Sequence, residues 1–211
     1  MAKSDNPETG WRGSPDIWLE AAYEALIMGG LDAVKIMPLA NQLKLARTSF
    51  YWHFKDREGL LKALADRWDA RTTVPLIAST ETYADSLAEA LLTVMACFIK
   101  PENFDSRLEF AVRSWGLQDP PMMERLRKAD VARIGALTAL LVKWGHPPQF
   151  ADVRARTIYL TQIGYISMQV VEPISERMKR VPIYIEIYGG THPEPREIAR
   201  FHAQIGYVPE D

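Results

Sequence analysis

Side chains able to do chemistry are sparse in this sequence and, with one exception, scattered. The four histidines, His53, His146, His192 and His202, share no metal-ligand spacing. The lone Cys97, beside Phe98 and Ile99, reads as a buried small hydrophobe rather than a nucleophile, and a single cysteine excludes both a disulfide framework and a multi-cysteine zinc site. There is no glycine-rich phosphate loop, Gly-x-Ser-x-Gly elbow, His-Glu-x-x-His or Glu-x-x-His pair, so no metal, cofactor or catalytic centre is expected. The exception is residues 33–62, where Lys35, Lys44, Arg47, Lys55, Arg57 and Lys62 outnumber Asp56 and Glu58 by four. Because the 211 residues carry a net charge of −2, the rest of the chain carries −6. A basic island in an acidic remainder is chemistry for a polyanion, and the overall pI near 6.1 conceals it.

The elements that must position this island are helical, and the fold is expected to be all-α. Ser14-Pro15-Asp16 starts a helix by capping, by a proline with no amide to leave unpaired, and by an acid at the positive end of the dipole. Ile17, Ala21, Ala22, Ala25 and Leu26 form its inner face, and Gly29-Gly30 ends it. Two short helical pieces follow, at residues 36–43 and 47–53, and Asp56 caps another helix whose apolar stripe is Leu60, Leu61, Leu64 and Trp68. The run Thr72-Thr73-Val74-Pro75 is expected to break that helix and to join two domains, 12–72 and 76–211. Beyond it the pattern predicts four longer helices, over about 83–99, 104–117, 120–145 and 148–171, then a stretch at 172–188 of mixed helix and strand character, and a last helix at 195–204.

Two short helices joined by about three residues, with small Ala40 near the crossing and Leu45, Phe50 and Phe54 as anchors, describe a helix-turn-helix. With Phe50 and Phe54 inward, Arg47, Thr48, Ser49, Tyr51, Trp52 and His53 turn outward or to the flanks, offering donors, acceptors and flat rings to a major groove. Any short polar helix with two aromatics has this spacing, so on spacing alone DNA binding and a purely structural helix both stay open.

The run Ser49-Phe50-Tyr51-Trp52-His53-Phe54-Lys55-Asp56-Arg57-Glu58-Gly59-Leu60-Leu61, with Ala21-Ala22, Gly30, Leu39-Ala40 and Leu45 before it, resembles the N-terminal DNA-binding domain of TetR-family transcriptional regulators. The family's Tyr-x-His-Phe-x-x-Lys-Glu-x-Leu is matched with Arg57 in place of lysine. Arg113-x-Trp115, Asp119-Pro120, Asp130-x-x-Arg133 and Gly145 resemble its variable ligand-binding and dimerisation bundle. The resemblance implies that Tyr51, His53 and Lys55 contact the DNA backbone and that Arg57 clamps a phosphate. Arg47, Thr48 and Ser49, which open the second helix, are the candidates for base edges, Arg47 foremost because its fork of donors suits guanine. Trp52 is expected to pack on the first helix rather than stack on sugar.

Three departures from the family stand out. Lys44 occupies the turn position usually held by glycine, Ala46 replaces the usual Ser or Thr cap, and Lys35 replaces the cap of the preceding helix. Each costs on the order of 1 kcal/mol. Lys44 either reaches a phosphate or is merely solvated, and Lys35 and Lys44 complete the expected DNA-binding set.

For the bundle, Met95, Phe98, Phe110, Trp115, Met122, Tyr159, Gln162, Tyr165 and Met168 are expected to line a pocket for a small, mainly apolar effector, although each fits a plain core as well. Arg113 is expected to pair with Asp130 or Glu109 rather than with a ligand. Thr161, Gly164 and Ser167, three residues apart, and Ile198 and Phe201 near the end are expected at a homodimer interface. The function expected is an effector-released regulator, a repressor, binding a palindromic operator. No apolar run is long enough to span a membrane and the polar start lacks a signal peptide, so a cytoplasmic protein is expected. The competing class is an all-α enzyme or interaction module with a basic head and no operator specificity.

Overall fold

The structure is a computed structural model describing residues 13–209; the polar segment before Gly13, with the expected domain start at position 12, lies outside the described residues. Among these the protein is all-α: α1 Pro15–Gly29, α2 Ile36–Leu43, α3 Arg47–Phe50, α4 Arg57–Trp68, α5 Val74–Glu81, α6 Leu87–Ile99, α7 Ser106–Gly116, α8 Pro120–Lys143, α9 Pro148–Ser167, α10 Ile174–Gly189 and α11 Pro195–Ile205. The chain divides after Ala65, within α4, into two compact units.

In the first unit, Ser14 Oγ accepts the Ile17 amide and Gly30, at φ 70°, ends α1. The buried face of α1 is Trp18, Ala21, Ala22, Tyr23 and Leu26, which corrects the expected stripe: Ile17 and Ala25 are only half-buried, while Trp18 and Tyr23 are inside. Trp18 meets Phe50 edge-on at 5.3 Å, and Leu39, Ala40, Leu60, Leu61 and Leu64 are buried in the same unit. Asp56 Oδ1 accepts the Gly59 amide and starts α4.

In the second unit, α8 and α9 pack along each other, α7 lies on α8, and α6 is covered by α5, α10 and α11. The expected break at residues 72–75 is absent. Asp69–Thr73 form a π-helical turn linking α4 to α5, in which the Val74 amide bonds back to the Asp69 carbonyl. Pro75 has no amide to offer the Arg71 carbonyl, and the Asp105 amide takes that acceptor instead at 3.0 Å. The chain therefore continues as a helix where proline and three β-branched residues signal a stop.

Other boundaries shift. α6 begins at Leu87, after Ser86 caps it through the Glu89 amide at 3.0 Å, leaving Tyr83 exposed before it. α9 ends at Ser167, short of the expected residue 171. The run Ile183-Tyr184-Ile185-Glu186-Ile187 is helical: Val181, Ile185 and Tyr188 are buried, whereas Ile183 and Ile187 lie on the exposed face. Its alternation reflects two apolar faces of one helix.

Candidate functional site

The helix-turn-helix is made by local hydrogen bonding around Lys44. This residue sits at φ 54°, ψ 38°, the left-handed conformation expected at that position, while its amide bonds to Asn41 and the Leu45 amide reaches Ala40 at 2.9 Å. Paired bonds of this kind satisfy the last carbonyls of α2 and turn the chain sharply into α3. Neither Lys35 nor Ala46 supplies a side-chain cap to its helix, as the departures from the family implied.

α3 is one turn long, ending at Phe50, and Tyr51–His53 follow as turns rather than helix. Arg47, Thr48, Tyr51 and Lys55 are exposed, as are Lys35 and Lys44, and His53 is half-buried. Arg47 Nη2 donates to Tyr51 Oη at 2.9 Å, with the guanidinium 5.6 Å from the ring centroid. Trp52 is 66% exposed, which corrects the expectation that it packs on the first helix. Ser49 is also corrected: it is buried beside Phe50, and its Oγ has no hydrogen-bond partner among the described residues, so it does not face a groove.

Arg57, expected as a phosphate clamp, is engaged internally. Its Nε donates to the Val34 carbonyl at 2.6 Å and its Nη2 to the Leu31 carbonyl at 2.9 Å, tying a short 3-10 turn, Leu31–Ala33, to the start of α4. Only Nη1 is left, 4.0 Å from Glu58. The charge belongs to the basic face, but its fork is spent on the fold.

The second unit contains a buried polar cluster, of which the sequence reading anticipated only the pairing of Arg113. Glu109 and Arg133 are both fully buried. Glu109 accepts from Trp68 Nε1 at 2.6 Å, Arg113 Nε at 2.8 Å and Arg133 Nη1 at 3.0 Å. Arg133 also donates to Thr72 at 2.8 Å, to Thr73 at 2.9 Å and to Tyr159 at 2.8 Å. Arg113, paired with Glu109 as expected, meets Asp130 as well, at 2.6 Å. Burial disfavours the charge on Arg133, yet Glu109 and the hydrogen bonds outweigh it and raise its pKa; burial pushes the Tyr159 phenol up. Two cations and two anions thus balance, with Glu109 and Arg133 fully buried and Arg113 and Asp130 partly exposed at the edge of the cluster. The Asp130-x-x-Arg133 spacing was the available signal, since residues three apart share a helix face.

The expected pocket residues do not converge. Met95, Phe98, Trp115, Met122, Tyr159 and Gln162 are buried in packing, with Gln162 Nε2 on Met95 Sδ at 3.5 Å and Trp115 Nε1 on Asp119 at 3.0 Å. Phe110 and Arg113 edge a cleft of about 290 Å³, whereas Tyr165 and Met168 edge a separate one of about 470 Å³ with Thr161, Gly164, Arg180 and Tyr184. In the larger cleft the Tyr165 and Tyr184 hydroxyls are 3.2 Å apart, and that bond, with burial, pushes the Tyr184 phenol up to about 12. Of the residues expected at the dimer interface, Ser167 is exposed and Thr161, Gly164 and Ile198 are half-buried. Phe201 is corrected to the core, where α11 packs on α6.

Cys97 is buried, and burial pushes its thiol up to about 11. Among the described residues, no group of three or more His, Cys, Asp or Glu could hold a metal ion, and no helix is long and apolar enough to cross a membrane.

Residues 19–64 match the family model of bacterial regulatory proteins of the tetR family. The whole fold resembles the crystal structure of AmtR from Mycobacterium smegmatis, 16% identical, covering 98% of this chain and 100% of that one at a TM-score of 0.63. It also resembles GusR of Salmonella enterica, 14% identical over 95% of this chain and 100% of that one at 0.59, and a transcriptional regulator from Rhodococcus sp. Rha1, 19% identical over 93% and 100% at 0.53. A comparison with curated proteins finds no match. With Lys44 making the turn and α3 presenting its polar side, residues 19–64 are the DNA-binding helix-turn-helix domain of the bacterial tetR family, within an all-α chain.

Proposed function

We propose that this protein is a ligand-responsive transcriptional repressor that binds a palindromic operator as a homodimer and is released by a small, mainly apolar effector. The observation that carries the reading is the left-handed turn at Lys44, which leaves Arg47 and Thr48 exposed at the start of α3 beside Tyr51 and Lys55. Arg47 and Thr48 read base edges; Lys35, Lys44, Tyr51, His53 and Lys55 hold the backbone, and the exposed Trp52 ring stacks on sugar. Ser49 takes no part, and Arg57 serves the interface mainly by fixing the 3-10 turn.

Dimerisation is supported by apolar side chains left exposed on the two helices that border the larger cleft. α9 exposes Phe150, Val153 and Leu160, and α10 exposes Ile183 and Ile187. Water-facing apolar groups in this number mark an interaction surface. A dimer places two recognition helices in successive major grooves, about 34 Å apart.

Selection of bound fragments from genomic DNA tests the function. An enriched inverted repeat is expected, and recovery of fragments with no common sequence overturns the operator reading. Sedimentation at micromolar protein tests the dimer, which a monomer would remove.

A further inference from the structure

The smaller cleft of the second unit, bordered by α7, α8 and the end of α9, combines an open cation with an apolar wall. Arg127 projects from α8 into it, exposed and with no hydrogen bond or ion pair to any described residue. Arg113 and Asp130, whose side chains are 24% and 29% exposed, line the same cleft, so two cations and one anion border it. Phe110, Met123 and buried Leu126 form the wall, and Leu117, 80% exposed, stands at the mouth. A water-exposed leucine above a leucine-methionine wall is poorly solvated surface, and an unpaired guanidinium presents two parallel donors suited to a planar two-oxygen acceptor. A cationic ligand would have to take Asp130 from Arg113 and Tyr159, which hold it at 2.6 Å each, and would leave Arg113 short of a partner.

Resting on the effector-responsive reading above, we propose that this cleft binds a small amphipathic carboxylate, its head on Arg127 and the outer edge of Arg113 and its hydrocarbon body against Phe110, Leu117, Met123 and Leu126. The volume of about 290 Å³ suits a medium-chain acid. Arg113 is also the joint between the cleft and the interior. The same guanidinium holds Glu109, Glu109 holds Arg133, and Arg133 grips the Thr72 and Thr73 hydroxyls in the π turn after α4. A carboxylate drawing Arg113 outward loosens Glu109 and Asp130 together, and the altered network is felt at that turn.

Calorimetric titration of the full chain, without DNA, with octanoate, octanol and octylamine tests the site. Octanoate is expected to bind at least about tenfold more tightly than either analogue, with Arg127→Gln erasing the preference and Ser114→Trp, which fills the cleft, abolishing binding. Equal affinity for the three probes, or octanoate binding unmoved by both substitutions, overturns the proposal. Hydrogen exchange at the amides of residues 69–73 is expected to change when octanoate is added, and unchanged exchange removes the link to the turn. With no DNA present, failure here leaves the operator reading standing, and failure to enrich an operator leaves the carboxylate site standing.

Discussion

The Arg47 guanidinium donates to the Tyr51 hydroxyl one turn along, at 2.9 Å, and covers the ring face 5.6 Å from its centroid. The exposed pair holds the side chain best suited to guanine against one suited to a phosphate. The bond has a charged donor, but both side chains are exposed and water already competes for them, so a DNA phosphate or base edge can replace it. Arg47→Ala is expected to weaken binding to the specific operator by about tenfold or more while changing nonspecific affinity little. Tyr51→Phe, which removes one phosphate contact, is expected to weaken both equally without changing the salt slope. Parallel titrations on operator and unrelated duplex check this; equal losses for Arg47→Ala on both DNAs would show that it does not read bases.

Ser49 gives the opposite expectation. Its hydroxyl is buried beside Phe50 without a partner, and removing an unsatisfied buried group is neutral or stabilising. Ser49→Ala should raise the urea midpoint slightly or leave it alone, and leave operator affinity unchanged. A loss of operator affinity at unaltered stability would return Ser49 to the reading set.

Arg57 separates two roles by two readouts. Truncating it leaves the Val34 carbonyl without its donor and the Leu31 carbonyl with only the Val34 amide, and bonds from a charged donor are worth about 1.5–3 kcal/mol each. Arg57→Lys should recover little of the loss, because one ammonium cannot span both acceptors. Chemical denaturation is expected to show the destabilisation. Unchanged stability, with a salt slope shallower by about one, would assign Arg57 to a phosphate instead.

Glu109, itself fully buried, compensates the buried Arg133 and the partly exposed Arg113. Glu109→Ala leaves Arg133 buried and short of its charge partner, at a cost of about 3–5 kcal/mol, whereas Glu109→Leu with Arg133→Met should recover much of it. Urea unfolding of the single and double variants measures both, and a single variant near wild-type stability contradicts the placement.

These four side chains also mark how far the sequence was legible. Caps, glycines and prolines predicted most of the helices because they act within a turn of where they stand: Ser14, Gly30, Asp56 and Asp119 all perform as their types imply. The left-handed turn at Lys44 was legible only through the family resemblance, which places it where a glycine usually stands, since lysine by itself gives no such signal. Ser49 was misplaced because only Phe50 and Phe54 were taken as the inner face, whereas position 49, next to Phe50, is buried with it. The π turn was illegible for another reason: Pro75 is tolerated there only because an amide from distant Asp105 replaces the one it lacks. Glu109 and Arg133 sit at core positions as charges, and periodicity assigns charges to water unless their partners, 24 residues apart, are known. The pocket failed likewise, since aromatic and methionine residues line cores and clefts alike.

The central claim is sequence-specific DNA recognition by the exposed side of α3. The most direct measurement is the affinity of the purified full chain for its enriched fragment and for a scrambled duplex of the same length and composition, at one fixed salt concentration. The expected result is a preference of about a thousandfold or more for the enriched fragment, greatly reduced by Arg47→Ala. Equal affinity for the two duplexes would contradict it.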